Sequence, residues 1–281
     1  MDFAKWTALG NDYVILDEAR GATVPDAAAV RLLCDRHLGV GGDGVLLIGE
    51  PQAGEVVASL RIFNADGSEA ELSGNGARQA FLYLSAEGRA PGPEFSISTP
   101  AGELRARILS PSRASVEMGT AAVSSSQYPD GEPDGRGTIA AGGELWSFQH
   151  VSIGNPQCAI RIQDIEALEN LEISEPGGEI EHSALFPGRT NVSWWTELAP
   201  GKIRARIYER GVGETSASGT GACGAAVDYR LRGGEGAVTV VMDGGELDVE
   251  IGDGLEVSLA GEAHELFRGT LSPALLDQPE A

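Results

Sequence analysis

The chain has 281 residues and carries 42 acidic against 20 basic side chains, a formal net charge of −22. That excess excludes nucleic acid and an anionic membrane surface as natural partners, and the length allows one large domain or two of ordinary size. Three cysteines, Cys34, Cys158 and Cys223, have neither disulfide-framework nor metal-ligand spacing, and the chain opens without a basic, then apolar leader or any run of membrane-spanning length, so a cytoplasmic protein without a bound metal is expected.

Residues 1–8 alternate apolar and polar, and after Leu9-Gly10-Asn11-Asp12 the run 13–16 reads as a strand. Pro25-Asp26 starts a helix through Val30, Leu33, Cys34 and Leu38, with Asp26 as N-cap and Gly39 as the stop. The glycine cluster 39–44 then leads into an apolar strand over 45–48, and its glycines serve a tight backbone path beside another group. Because this cluster precedes a strand and not a helix, it is no dinucleotide fingerprint. A strand over 56–63 delivers the turn-forming Asn64-Ala65-Asp66-Gly67-Ser68-Glu69.

The next stretch, Glu69-Ala70-Glu71-Leu72-Ser73-Gly74-Asn75-Gly76-Ala77, returns later as Glu214-Thr215-Ser216-Ala217-Ser218-Gly219-Thr220-Gly221-Ala222. The offset is constant, 218 − 73 = 145 and 214 − 69 = 145. Each copy runs into an apolar helix, over 76–85 and over 221–231. Short strands are expected over 95–99, 104–109 and 115–118, and the polar, glycine-rich residues 120–143 read as a seam between two halves. The second half restarts with Ile153-Gly154-Asn155, which echoes Leu9-Gly10-Asn11 at an offset of 144 (155 − 11). Strands follow over 159–162, 191–198 and 203–208, and three more over 238–242, 247–251 and 255–259, joined by Asp-Gly turns. The fold class is therefore α+β, sheet-rich, with one long buried helix per half.

A glycine-flanked turn entering a helix presents unpaired backbone N–H groups at the positive end of the helix dipole, which suits an anion. The bland alternative is that Ser73 and Ser218 are N-caps and nothing more, a common use of serine. Asn11, Asn64 and Asn155 adjoin turns, where asparagine also serves the backbone, and Glu209 and Arg210 could form an ordinary surface pair.

Taken together, several ordered motifs resemble the diaminopimelate epimerase family, in the superfamily that includes proline racemase. They are Ala8-Leu9-Gly10-Asn11-Asp12, Asp35-Arg36-His37 with Gly39, Gly41, Asp43 and Gly44, then Asn64 with Asp66-Gly67-Ser68-Glu69 and Glu71, and Gly74-Asn75-Gly76-Ala77-Arg78. In the second half they are Gly154-Asn155-Pro156, Asn191-Val192, Tyr208-Glu209-Arg210-Gly211 with Gly213-Glu214-Thr215, and Gly219-Thr220-Gly221-Ala222. The resemblance implies two pseudo-symmetric lobes, each a curved, mostly antiparallel sheet wrapped around a central helix, with the ligand cleft between them. It implies an N-terminal lobe over 1–118 completed by the tail 264–281, and a C-terminal lobe over 119–263.

The implied activity is cofactor-independent inversion of an amino acid's α-carbon, one residue removing the proton while a second delivers another on the opposite face. In the family both residues are cysteines at the heads of the central helices; here those positions hold Ser73 and Ser218. A thiol reaches the thiolate at a helix N-terminus with modest help, whereas a hydroxyl needs a strong adjacent base. The family's histidine two residues after the asparagine of Gly-Asn-Pro is replaced by Gln157, which cannot exchange a proton at neutral pH. Glu209 remains as a titratable carboxylate, and the resemblance carries a catalytic role to Ser73, Ser218 and Glu209.

Substrate binding is carried over to Asn11, Asn64, Asn155, Gln157 and Asn191, to the amides of Gly74, Asn75, Gly219 and Thr220 around a carboxylate, and to Arg210 at the distal end. The implied partner is a small amino acid with two polar ends, and relatives pair as homodimers. Two other readings stay open: an isomerase or dehydratase on the same scaffold that uses Glu209 as its base, and a non-catalytic amino-acid-binding paralogue.

Overall fold

The computed structural model describes residues 1–51, 55–70, 73–272 and 275. Glu71 and Leu72 of the first motif, and most of the tail beyond 272, lie outside the described residues. The chain divides into two compact units, Met1–Glu117 with Gly261–Ala281, and Met118–Ala260.

The first unit contains β1 (Asp2–Ala8), β2 (Asn11–Asp17), α1 (Ala27–Cys34), β3 (Gly44–Gly49), β4 (Val56–Asn64), β5 (Glu69–Ala70) and α2 (Gly74–Ala86). It continues through β6 (Glu94–Thr99), β7 (Gly102–Ser110) and β8 (Arg113–Thr120), in which the boundary between units falls. The second unit contains β9 (Arg136–Ala141), β10 (Glu144–Ser152), β11 (Pro156–Arg161), α3 (Ile165–Glu169), α4 (Ser174–Glu181), β12 (Asn191–Ala199) and β13 (Lys202–Glu209). After them come β14 (Gly213–Thr215), α5 (Gly219–Leu231), β15 (Val238–Met242), β16 (Gly245–Ile251) and β17 (Glu256–Glu262), and β18 (His264–Thr270) returns to the first unit.

The internal repeat is a repeat of topology. In the first unit β1–β2 is antiparallel, β2–β3 parallel, β3–β4 and β4–β5 antiparallel, β4–β6 parallel and β6–β7 antiparallel. The second unit gives the same series in the same order over β10, β11, β12, β13, β14, β15 and β16. Register is kept as well: Ile62 faces Ala70 and Ile207 faces Thr215, with 207 − 62 = 145 and 215 − 70 = 145. The first strand of each series gains one more antiparallel neighbour, β18 for β1 and β9 for β10.

Each unit wraps its sheet round one helix. Helix α2 packs on β1, β2, β3, β4 and β7, and α5 on β10, β11, β12, β13, β15 and β16. A helix enclosed in this way is buried on all faces, and only small residues let strands approach so closely. A Cβ on Gly224 would lie 2.8 Å from the Gln157 Cβ, and one on Gly221 would lie 2.8 Å from the Ile207 Cδ1. On the sheet face away from α5, a core of Trp194, Phe148, Phe186 and Trp146 packs with Leu168 of α3 and Ile180 of α4. Val14, Leu16, Val30, Leu33 and Val45 pack together under α1.

Three expectations change. Helix α1 stops at Cys34 and not at Gly39, because the Asp35 carboxylate accepts the N–H groups of His37 and Leu38, both at 2.7 Å, and turns the chain away; Leu38 ends 65% exposed. Residues 120–143 are no seam: they contain β9, and Tyr128 is buried in the second unit's core against Phe148 and Phe186. The region between β11 and β12 holds two helices, α3 and α4, that the sequence reading passed over.

The glycine cluster serves a lysine. Lys5, 3% exposed, places its Nζ 2.8 Å from the Asp12 carboxylate and donates to the Gly41 carbonyl. A Cβ on Gly42 would stand 2.5 Å from that Nζ. Arg36 reaches both Asp12 (2.7 Å) and Asp43 (2.9 Å). Burial alone would raise the Asp12 carboxyl, but hydrogen bonds from Arg36 and Lys5 hold it down at about 2. Stability from that depressed carboxyl is fully present above the unfolded value near 3.9 and is lost as pH falls through about 2. Lys5→Met is expected to destabilise the protein by about 2 to 3 kcal/mol in urea unfolding, and to start acid unfolding at a higher pH; an unchanged urea midpoint would contradict this account.

Candidate functional site

The two serines occupy the same place in their units. Ser73 is the N-cap of α2, its Oγ accepting the Gly76 N–H at 3.1 Å, and Ser218 is the N-cap of α5, accepting the Gly221 N–H at 3.2 Å. The capping expectation is therefore met, and both hydroxyls have further partners. The Tyr13 hydroxyl lies 3.4 Å from the Ser73 Oγ. The Ser218 hydroxyl, 2% exposed, stands next to the Glu209 carboxylate. Gly74, Asn75 and Gly219 are buried in the first helical turns and Thr220 is half-buried; first-turn amides have no carbonyl behind them within the helix and are free to serve an anion.

Glu209 ends β13, partly buried. Burial pushes its carboxyl above the usual carboxylate range, and the Ser218 hydrogen bond opposes part of that rise. A carboxylate short of water and not fully compensated is a stronger base than an exposed one. The strand register carries its neighbours: Gln157 on β11 faces Asn191 on β12, and the Val192–Tyr208 pair puts Asn191 beside Glu209 at the adjoining strand ends. The corresponding row in the first unit is Tyr13, Gly44 and Asn64 on β2, β3 and β4.

A polar chain ties β11 to the head of α5. Gln157 donates to the Asn155 Oδ1 at 2.8 Å, and the Asn155 amide donates to the Thr220 Oγ1 at 3.2 Å. Gln157 is fully buried, and its Oε1 has no protein donor. Asn191 accepts the Arg210 backbone N–H at 2.8 Å, while the exposed Arg210 guanidinium donates to the Gly188 carbonyl at 2.9 Å. In the first unit, Asn11 donates to Asp43 at 2.9 Å and its carbonyl accepts from Gln79 of α2 at 3.0 Å. Asn64, exposed, donates to the Ser68 Oγ at 2.9 Å, and Asn75 accepts from the buried Arg78. Asn11, Asn64 and Asn75 thus spend side-chain atoms locally, as the turn reading of such residues anticipated for the first two.

Sequence reasoning missed four contributors. The glutamates that open both motifs are held by arginines at the same offset: Arg61 grips Glu69 at 2.7 and 2.8 Å, and Arg206 grips Glu214 at 2.6 and 3.0 Å, with 206 − 61 = 145. These pairs brace the β4–β5 and β13–β14 hairpins from which each serine turn departs, and the offset itself was the available signal. Glu181 of α4, 3% exposed, accepts the Gly211 N–H at 2.8 Å and pairs with Arg189 at 3.3 Å, fixing the turn that carries Arg210. Tyr13 is the remaining one, at the position of the first repeat that Gln157 fills in the second (157 − 13 = 144).

The three cysteines are buried. Burial raises the Cys34 thiol to about 11 and that of Cys158 well above its usual range. Among the described residues no group of His, Cys, Asp and Glu is placed to hold a metal ion, and no helix is long and apolar enough to cross a membrane.

The profile of the family described as diaminopimelate epimerase matches residues 3–124 and 149–265. Among curated relatives, a diaminopimelate epimerase of Pelotomaculum thermopropionicum is 39% identical, covering 96% of this chain and 98% of that protein. One of Xanthomonas campestris pv. campestris is 39% identical over 95% of each. Solved structures of similar fold include a probable proline racemase of Agrobacterium radiobacter, 14% identical with a TM-score of 0.69 over 98% of this chain and 95% of that one. A hydroxyproline epimerase of Agrobacterium vitis is 15% identical with a TM-score of 0.67, covering 96% of this chain and 91% of that one. The α+β architecture is thus that of racemases and epimerases, and by sequence over nearly its whole length the chain belongs to the diaminopimelate epimerase family.

Proposed function

We propose that this protein inverts the α-carbon of diaminopimelate, using Glu209 with Ser218 as one proton-transfer station and Ser73 as the other. One observation carries the reading: the serine that caps α5 stands next to a carboxylate, at the end of β13, that burial has made more basic. An aliphatic hydroxyl is too weak an acid to act alone. Coupled to Glu209, the Ser218 Oγ can take the α-proton as its own proton passes to the carboxylate, so no free alkoxide forms. The developing negative charge spreads onto the substrate carboxylate, which the first-turn amides of Gly219 and Thr220 are suited to hold; the Gly74 and Asn75 amides offer the same kind of donors at the head of α2. Asn155 and Gln157 shape this end, the orphaned Gln157 Oε1 being able to accept a substrate N–H. Asn191 adds a polar group beside Glu209 and Arg210 meets a distal carboxylate, while Asn11 and Asn64 are the first unit's candidates for substrate binding.

The names of the relatives supply the substrate. The same reading places the enzyme in the cytoplasm, in keeping with an odd number of cysteines, all buried, and pairs it as a homodimer. Incubation with LL- or meso-diaminopimelate in deuterated water tests it, since each inversion must bring one solvent deuteron to the α-carbon.

A second reading takes Glu209 as the direct base of another isomerisation or a dehydration on this scaffold. The raised carboxyl of Glu209 favours it. In that case Glu209→Gln abolishes activity while Ser73→Ala leaves most of it.

A further inference from the structure

We propose that the Tyr13 phenol is the proton partner of Ser73, the counterpart of Glu209 beside Ser218; this rests on the epimerase reading above. The two repeats place their titratable groups at different positions. At the place of Glu209 the first unit has Asn64 (209 − 145 = 64), turned onto Ser68. At the place of Tyr13 the second unit has Gln157, which does not titrate. Among the described residues, each serine therefore has an ionisable group beside it, drawn from a different strand.

Hydroxyl bookkeeping separates the two roles. A serine Oγ offers one donor and two acceptor sites. Ser73 accepts from the Gly76 N–H at 3.1 Å, and its Oγ lies 3.4 Å from the Tyr13 hydroxyl, within reach for the phenol to pass it a proton as its own leaves. Ser218 accepts from the Gly221 N–H at 3.2 Å and stands beside Glu209, a carboxylate able to take its proton. Ser73 is thereby set to deliver a proton and Ser218 to take one. The Tyr13 ring is held in place: it is 6% exposed and lies flush on Gly44, where an added Cβ would stand 2.6 Å from its Cε1.

The step balances. As the Ser73 O–H bond breaks and a C–H bond forms at the α-carbanion, the phenolic proton moves to the Ser73 Oγ. Before the next turnover the phenolate takes a proton from water and Glu209 returns the proton it received to solvent, so both stations are reset. A phenol, with its reference pKa of about 10, is a far better reservoir than an isolated hydroxyl.

The test is a double-mutant cycle on the full chain, read by epimerisation of LL-diaminopimelate and by solvent deuterium incorporation. Tyr13→Phe keeps the ring and removes only the hydroxyl, and is expected to lower kcat by about 10²-fold with KM changed by no more than about two-fold. With Ser73→Cys already present, the thiol needs no reservoir, and the same Tyr13→Phe change is expected to cost less than about three-fold. Should Tyr13→Phe destabilise the fold, a fluorinated tyrosine at position 13 serves instead, and its lower phenol pKa should move the alkaline limb of kcat downward. Equal losses in both backgrounds, no loss in the Ser73 protein, or an unmoved alkaline limb would overturn the role of Tyr13 while leaving the epimerase reading intact. An unsubstituted protein that exchanges no α-proton would instead overturn that reading, and this one with it.

Discussion

Glu209→Gln is expected to lower kcat/KM by about 10³-fold while making the folded protein no less stable at neutral pH. Gln keeps the shape and can still hydrogen-bond Ser218, but it cannot accept the α-proton. The stability side follows from the direction of the shift. Burial disfavours the charged form of Glu209 in the folded protein, so above its folded pKa the carboxylate costs stability that is recovered as pH falls through that value. Removing the charge removes the cost, and a rise in the melting temperature at pH 8 should accompany the loss of rate. Activity runs the other way: the base is the carboxylate, so kcat/KM should fall with pH through an acid limb lying above the ordinary glutamate value of 4.5. Ser218→Ala should push that limb up or abolish turnover, since it removes the hydroxyl that holds the Glu209 carboxyl down. If Glu209→Gln retained most of the rate, the assignment of this carboxylate would be wrong.

Restoring the thiols is expected to have the second large effect. Ser73→Cys with Ser218→Cys, and with Gln157→His, should raise diaminopimelate epimerisation by about 10²-fold or more. A thiol with a reference pKa near 8.5 needs only the helix N-terminus to ionise, and both serines are N-caps with first-turn amides beside them. The replaced side chains are nearly isosteric with those present, and Ser218 lies in the second unit beside the carboxylate that would then be its neighbour rather than its reservoir. A large gain would fix the substrate class of the pocket. No gain, measured on variants that still fold, would mean that the polar lining has been retuned to a different ligand.

Much of this was legible in the sequence because it depends on local chemistry. The constant offset between the two Ser-Gly turns announced a duplicated topology, and the register of β4 with β5 and β13 with β14 keeps that offset residue for residue. The helix caps at Asp26, Ser73 and Ser218 were readable from residue type alone. What escaped depends on tertiary context. Residues 120–143 look like a linker by composition, yet Tyr128 is drawn into a core of aromatic rings far away in sequence. Helices α3 and α4 are short and polar, their apolar contributions confined to single residues such as Leu168 and Ile180. Asn11 and Asn64 look like ligand-binding amides by motif, while the structure commits their side chains to Asp43 and Ser68. The partners of the two serines were invisible for a simpler reason: Tyr13 stands 60 residues from Ser73 in sequence, and only strand pairing brings them together.

The central claim, that hydroxyls backed by Glu209 and Tyr13 move the α-proton, is tested most directly by proton exchange. Protein at high concentration, incubated with LL-diaminopimelate in deuterated water and followed by NMR and mass spectrometry, should form the meso isomer with one deuteron at the inverted α-carbon. Returned LL substrate should carry little label early in the reaction, because the delivered proton comes from the second station. An absence of both label and inversion would contradict the account and leave a protein that binds amino acids without turning them over.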